Sequence, residues 1–283
     1  MHRRRTVILA SVSLAGFLFG PRQAVADVAT SFPRNRPRII AHRGASYDAP
    51  ENTLAAVNLA WRRNADAVEI DVYLSKDRRI VVYHDETTKR IGGRDRRVKD
   101  QTLLELRQLD VGRWKGDQFV GERIPTLDQV LETVPPGKQL FIEIKDGMEI
   151  VPVIVPQLKR WEHTRDRAVV ISFSYDVVQS VKKQLPEIPV YWLVSFKRSK
   201  VTFRWQPDLG QTIARVKQAK LDGLNVNDCP VVTAAAVARA RAAGLGFFVW
   251  TVNDKDAVLR LRSLGVDGIT TDRPAWIRNL IGR

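Results

Sequence analysis

The sequence has little sulfur: one cysteine, Cys229, and two methionines in 283 residues. One thiol excludes an intrachain disulfide, so stability has to come from an apolar core or a bound metal. Histidine is sparse as well, with four in all. The uncharged stretch from Thr6 to Gly20 falls short of the roughly 20 apolar residues that span a bilayer. There is no nucleophile elbow, no P-loop and no dinucleotide fingerprint. Acids are outnumbered, 31 Asp and Glu against 46 Lys and Arg, which leaves a net charge of +15. With 44% hydrophobic and 27% charged residues the chain can bury a full core, which excludes disorder, collagen-like repeats and a polytopic membrane protein. The basic excess suits nucleic acid, an anionic membrane or an anionic small substrate, and composition does not choose among them.

Part of that charge belongs to the amino terminus. Arg3, Arg4 and Arg5 precede the uncharged stretch, and Ala24-Val25-Ala26 then offers the small-x-small pattern of a signal-peptidase site. We expect a signal peptide over 1–26, cleaved after Ala26, and hence an exported protein, periplasmic or extracellular; an uncleaved anchor is the competing reading. Arg4-Arg5-Thr6-Val7-Ile8 is similar to a twin-arginine signal with Val7 in place of an aromatic, so either export route fits. Residues 27–37 read as a linker and 38–283 as one domain.

From Arg38 onward, short β-branched runs alternate with helix-period segments. Strands are predicted at 38–42, 67–73, 79–84, 139–145, 168–173, 189–194, 221–226, 246–251 and 267–270. Helices are predicted at 51–63, 102–108, 126–132, 150–162, 175–185, 211–219, 231–243, 254–264 and 274–281. Repeated strand–helix units imply a parallel sheet covered by helices. Only five residues separate 67–73 from 79–84, too few for a parallel crossover, so these two form a hairpin. Eight strands then remain, and the expected fold is an α/β TIM (β/α)8 barrel with a β-hairpin and a small elaboration, residues 85–138, after strand 2.

Reactive groups of such a barrel sit where its strands end. Strand 1 ends in His42-Arg43-Gly44, and the hairpin ends in His84-Asp85. Glu69 and Asp71, like Glu143 and Lys145, stand two apart in a strand and so share a face. Carboxylates in buried strands are costly unless paired or bound to metal. Glu69, Asp71 and Glu143 make a hard oxygen set suited to Ca²⁺ or Mg²⁺ rather than zinc, the alternative for each acid alone being a structural ion pair. His42 and His84 form an acid and base pair for work near neutral pH, while Arg43 and Lys145 supply positive charge for phosphoryl oxygens. Phosphodiester cleavage needs such a set, because its transition state gathers negative charge on the equatorial oxygens.

These residues, together with Pro50-Glu51-Asn52-Thr53, Ile124-Pro125-Thr126-Leu127, Trp250-Thr251-Val252-Asn253 and Thr271-Asp272-x-Pro274, give the chain its resemblance to the glycerophosphodiester phosphodiesterase family. The resemblance covers nearly all of 38–283. It implies a TIM-like barrel and divalent-metal-dependent hydrolysis of glycerophosphodiesters to glycerol 3-phosphate and an alcohol, by way of a cyclic phosphate. It makes Glu69, Asp71 and Glu143 metal ligands and His42 and His84 the acid and base. Arg43 and Lys145 become phosphate contacts, and Glu51 lies near the metal, either among the substrate-binding residues or as a further ligand, direct or through water. Trp250 is expected to line the pocket against the glycerol or head group, ordinary barrel packing being the alternative.

The segment Ser195 to Trp205 interleaves four cations with three aromatics after the fifth barrel strand. It reads as a lid over the anionic diester, a contact for an anionic membrane surface, or a solvated loop. Two other functions compete: a phospholipase D-type enzyme on lysophospholipids or sphingolipids, which needs an apolar rim for an acyl chain, and a non-catalytic, exported polyanion-binding protein, which needs a broken site. No specific nucleic-acid partner is expected.

Overall fold

The computed structural model describes residues 36–161 and 163–282. The expected signal peptide over 1–26 and residues 27–35 of the linker lie outside them. Nine strands form one sheet: β1 (Arg38–Ala41), β2 (Ala67–Leu74), β3 (Ile80–Val82), β4 (Gln139–Ile144), β5 (Ala168–Ser172), β6 (Val190–Val194) and, after a two-strand hairpin of β7 (Lys197–Arg198) and β8 (Trp205–Gln206), β9 (Gly223–Asn227), β10 (Gly246–Trp250) and β11 (Gly268–Thr271). All pairings within this sheet are parallel except β2 with β3, and β1 pairs with both β11 and β2, so eight parallel strands close into a barrel. This is the (β/α)8 architecture expected, with the hairpin where the short connection required it.

Alternation along the strands sorts the side chains. Ile40, Ala67, Phe141, Val169, Ile171, Tyr191, Leu193 and Phe248 fill the barrel interior, with the Phe141 and Phe248 rings 5.6 Å apart. Their neighbours Ile39, Val68, Ile70, Leu140, Ile142 and Val170 point outward into the layer beneath the helices. Both faces are apolar, which is why these strands read as nearly continuous hydrophobic runs. At the amino ends, one device recurs. The aspartate that leads into a strand accepts a backbone N–H from the preceding neighbour strand in the barrel: Asp66 Oδ2 from Ile39 (2.9 Å), Asp222 Oδ2 from Val190 (2.7 Å) and Asp267 Oδ2 from Phe247 (2.8 Å). Each satisfies a strand-end donor that burial would otherwise strand.

Several helix starts follow the capping signals. Thr53, Thr126 and Asp254 each accept the N–H three residues on, and Pro274 opens the last helix. Boundaries shift where a turn intervenes. The first helix runs Leu54–Arg62, because Pro50 to Asn52 form a turn with Asn52 in the left-handed region (φ 58°). The helix predicted from 211 begins two residues earlier, at Leu209, capped by Asp208. Val98, Leu106, Leu109, Val111 and Ile124 of residues 85–138 form a small core with Val81 and Tyr83 of the hairpin. That core holds the elaboration against the hairpin and delivers Arg90 and Lys115 to the barrel mouth.

Candidate active site

The carboxyl end of the barrel gathers the charged residues. Glu69 and Asp71 of β2 are almost fully buried, and Glu143 of β4 is nearly so; one carboxylate oxygen from each lies within 4.8 Å of the others. β2 and β4 are in register with Asp71 beside Glu143, so strand pairing itself brings these two acids together. Burial and the Asp71 charge push the Glu69 and Glu143 carboxyls above their ordinary range, Glu69 being raised by Glu143 as well. Asp71 is held below its own range: burial opposes this, and Arg43, Lys145 and the Asn52 amide outweigh it.

The loop after β1 is shaped to serve this cluster. Arg43 sits in the left-handed region (φ 53°), which turns its backbone N–H onto Glu69 Oε2 at 2.9 Å. Gly44 follows at φ 83°, and a Cβ there would meet the Ala56 backbone carbonyl carbon at 2.5 Å, so only glycine fits. The Arg43 guanidinium donates to Glu51 Oε1 (2.8 Å) and lies 3.3 Å from Asp71 Oδ2. From the other side, Lys145 Nζ donates to Glu143 Oε1 (2.7 Å) and lies 3.5 Å from Asp71 Oδ1. Asn52 makes a reciprocal pair with Asp71, side chain to side chain (2.8 Å) and backbone to side chain (3.1 Å). One buried acceptor, Glu69 Oε1, has no hydrogen-bond partner. Three buried acids with an orphaned oxygen fit a hard divalent cation, whose charge would reverse the upward shifts of Glu69 and Glu143.

Each imidazole is anchored by an acid. His42 Nδ1–H donates to Asp272 Oδ1 at 2.6 Å, and His84 Nδ1–H to Asp85 Oδ1 at 2.6 Å. A carboxylate only accepts, so each ring carries its proton on Nδ1 and presents Nε2 for proton transfer. Burial holds the His84 imidazole below the ordinary histidine range. Asp272 is itself fixed by Ser46 Oγ (3.0 Å) and Asn253 Nδ2 (2.5 Å); burial works against its ionisation, but the bonds from His42, Asn253 and Ser46 hold it down to about 2. Arg90, from the elaboration, forks onto both Asp85 and Glu51.

His42, Arg43, Glu69, His84, Glu143, Lys145 and Trp250 all line one cavity of about 130 Å³. Glu51 and Asp71 stand behind it, bonded to Arg43 and Asn52. Its far wall is uncharged. Trp250 is fixed by its Nε1–H to the Asn225 carbonyl (3.1 Å) and packs edge-on against Phe173, centroids 5.6 Å apart. Beneath them Asn225 Oδ1 and Thr270 Oγ1 are buried without a partner. A larger cleft of about 470 Å³, between the 75–79 turn and the helix Val151–Arg160, holds none of these groups.

The sequence pointed to the ligands, the imidazoles and the cations; Asp272, Asp85, Asn253 and Asn52 stood in its motifs without an assigned role, and Arg90, Asn225, Thr270 and Phe173 did not stand out. Most of these come from distant parts of the chain, with Asp272 standing 230 residues from His42. Asn225 did carry a local signal, a polar residue inside the apolar strand run Gly223–Asn227.

A closed parallel barrel with buried acids, two anchored imidazoles and two cations at its carboxyl end defines a TIM-barrel hydrolase for an anionic ester. Residues 42–276 match the glycerophosphoryl diester phosphodiesterase family. The chain is 36% identical over 248 residues to the glycerophosphodiester phosphodiesterase of Caldanaerobacter subterraneus subsp. tengcongensis, covering 86% of this chain and 97% of that one. It is similar in structure to an Oleispira antarctica phosphodiesterase in complex with the product sn-glycerol-3-phosphate, with a TM-score of 0.75, 32% identity and coverage of 87% and 97%. A human lysophospholipase D is 25% identical over 269 residues, 86% of this chain and 85% of that one. The chain belongs to the glycerophosphoryl diester phosphodiesterase family and is a phosphoric diester hydrolase.

Proposed function

We propose that the protein hydrolyses glycerophosphodiesters to glycerol 3-phosphate and an alcohol with the help of Ca²⁺ or Mg²⁺, outside the cytoplasm, after loss of residues 1–26. The observation that carries the reading is the convergence of Glu69, Asp71 and Glu143, with one oxygen orphaned, between two imidazoles that each present Nε2. Glu69, Asp71 and Glu143 would hold the ion, which supplies charge neutralisation at the phosphoryl oxygens. Arg43 and Lys145 bind the non-bridging oxygens, and Glu51 keeps Arg43 aimed at them. Trp250 packs against the glycerol or head group, and Asn225 Oδ1 and Thr270 Oγ1 take up substrate hydroxyls.

His42 and His84 exchange the roles of base and acid. One Nε2 removes the proton from the glycerol hydroxyl next to the ester, whose oxygen attacks phosphorus. The bond to the leaving alcohol breaks, and the other imidazole, which enters the cycle as the imidazolium, gives its Nε2 proton to that alcohol. Water then gives a proton to one imidazole and opens the cyclic phosphate, whose departing oxygen takes a proton from the other. Asp272 and Asp85 stabilise the imidazolium each ring becomes.

A panel of glycerophosphodiesters and lysophospholipids, assayed with each metal for release of glycerol 3-phosphate from the former and of lysophosphatidate from the latter, tests the reading. Release from glycerophosphocholine supports it. Turnover confined to lysophospholipids would favour the phospholipase D-type alternative, and no turnover of any diester would favour the polyanion-binding one.

A further inference from the structure

We propose that the β7–β8 hairpin docks the protein onto an anionic lipid surface. The hairpin leaves the barrel at the carboxyl end of β6, the end that carries the active site. Its base is built in. Phe196 is buried in the core, its N–H donates to Asn227 Oδ1 (2.6 Å), and the Asn227 amide returns a bond to the Phe196 carbonyl (3.1 Å). Trp205 packs against the same core from the returning strand. Two of the three aromatics are thus structural. The tip is fixed in shape as well: Ser199 N–H donates to the Arg204 carbonyl (2.8 Å), Phe203 N–H to the Ser199 carbonyl (3.0 Å), and the Val201 and Thr202 N–H groups reach Ser199 Oγ.

That held turn presents apolar side chains to solvent. Val201 is 86% exposed and Phe203 65%. Around them stand Lys197, Arg198, Lys200 and Arg204, all exposed. None of the four is paired with a carboxylate among the described residues, and residues 195–206 contain no acid. Arg198 lies over the Phe203 ring, 5.6 Å from its centroid, and donates to the Phe203 carbonyl, so cation and ring form one unit.

Apolar side chains at a turn, ringed by unpaired cations, match the boundary between acyl chains and anionic headgroups. The apolar tip enters that boundary, and the cations meet the phosphates. A nucleic acid would use the cations and leave the aliphatic Val201 without a partner. A lid over the substrate would turn Val201 and Phe203 inward rather than out.

Co-sedimentation with phosphatidylcholine vesicles, with and without phosphatidylglycerol, tests this, because docking needs no turnover and its failure leaves the catalytic reading untouched. The chain should sediment with phosphatidylglycerol vesicles and stay in solution with phosphatidylcholine alone. The double variant Val201→Ser, Phe203→Ser and the double variant Lys200→Ser, Arg204→Ser should each lower the bound fraction by about fivefold or more, with hydrolysis of soluble glycerophosphocholine unchanged. No sedimentation with anionic vesicles would overturn the proposal. So would binding that survives loss of Val201 and Phe203, since that is attraction by charge alone. Loss of soluble turnover in the apolar variant would assign the hairpin to the site as a lid and would overturn it too.

Discussion

The two ends of the barrel are built from similar side chains, and only one end satisfies them. At the amino ends, Asp66 is shared by Arg36 (3.0 Å), Arg278 (2.8 Å) and the Ile39 N–H, and Asp222 takes Lys182 at 2.7 Å together with the Val190 N–H. Among the described buried side chains of that end, only Arg278 Nε lacks a hydrogen bond. At the carboxyl end, Arg43 Nε, Glu69 Oε1, Asn225 Oδ1 and Thr270 Oγ1 are all without one. Buried polar atoms without a hydrogen bond cost the fold free energy, Arg43 Nε less than the others because Asp71 Oδ2 lies 3.3 Å from it, and here they face one cavity or the acids behind it. Stability resides at one end and chemistry at the other, as the layout of a TIM barrel requires.

Substitutions should split along that line. His42→Ala or His84→Ala is expected to lower turnover of glycerophosphocholine by about 10² to 10⁴ while leaving the urea unfolding midpoint in place. A matching drop in stability would mean the two ends are not separable. Asp66→Ala should do the reverse, costing about 3 kcal/mol in urea unfolding because two arginines and a strand N–H lose their acceptor, with kcat at ambient temperature little changed.

Asp272 tests the boundary between the two roles. Asp272→Asn keeps a hydrogen-bond acceptor and removes the charge that steadies the His42 imidazolium, so kcat should fall by about tenfold or more with KM nearly constant. The same variant has a pH signature. The Asp272 carboxyl lies at about 2 in the fold against an ordinary 3.8, so its contribution to stability is complete above 3.8 and is lost as pH falls from there towards about 2. Unfolding free energy measured across that window should fall less steeply in Asp272→Asn than in the parent. The smallest effect is expected from Thr270→Val, which removes one orphaned hydroxyl. KM for glycerophosphocholine should rise a few-fold, by about 0.5–1.5 kcal/mol of binding, with stability unchanged or slightly improved.

The barrel was legible because strands buried on both faces write themselves as β-branched runs, and the hairpin because five residues cannot make a parallel crossover. Glu69, Asp71, Glu143 and Lys145 stood out for the same reason: charge at spacing two inside such a run has no cheap explanation. The roles that stayed hidden act through orientation. Asp272 and Asn253 matter because β11 and β10 close next to β1, and Arg90 because the elaboration's own core turns it back onto Glu51. Neither relation leaves a local spacing. The 195–205 segment was ambiguous because sequence shows three aromatics alike, whereas the fold buries Phe196, half-buries Trp205 and exposes Phe203.

The central claim is that the orphaned oxygen among Glu69, Asp71 and Glu143 marks a divalent-ion site on which turnover depends. The direct measurement is glycerol 3-phosphate release from glycerophosphocholine by protein stripped with a strong chelator and dialysed, before and after addition of Ca²⁺ or Mg²⁺, alongside Glu69→Gln. The account predicts no release from the stripped protein, recovery with at least one of the two ions, and no recovery in Glu69→Gln at the same ion concentration. Full turnover in the presence of the chelator would contradict it.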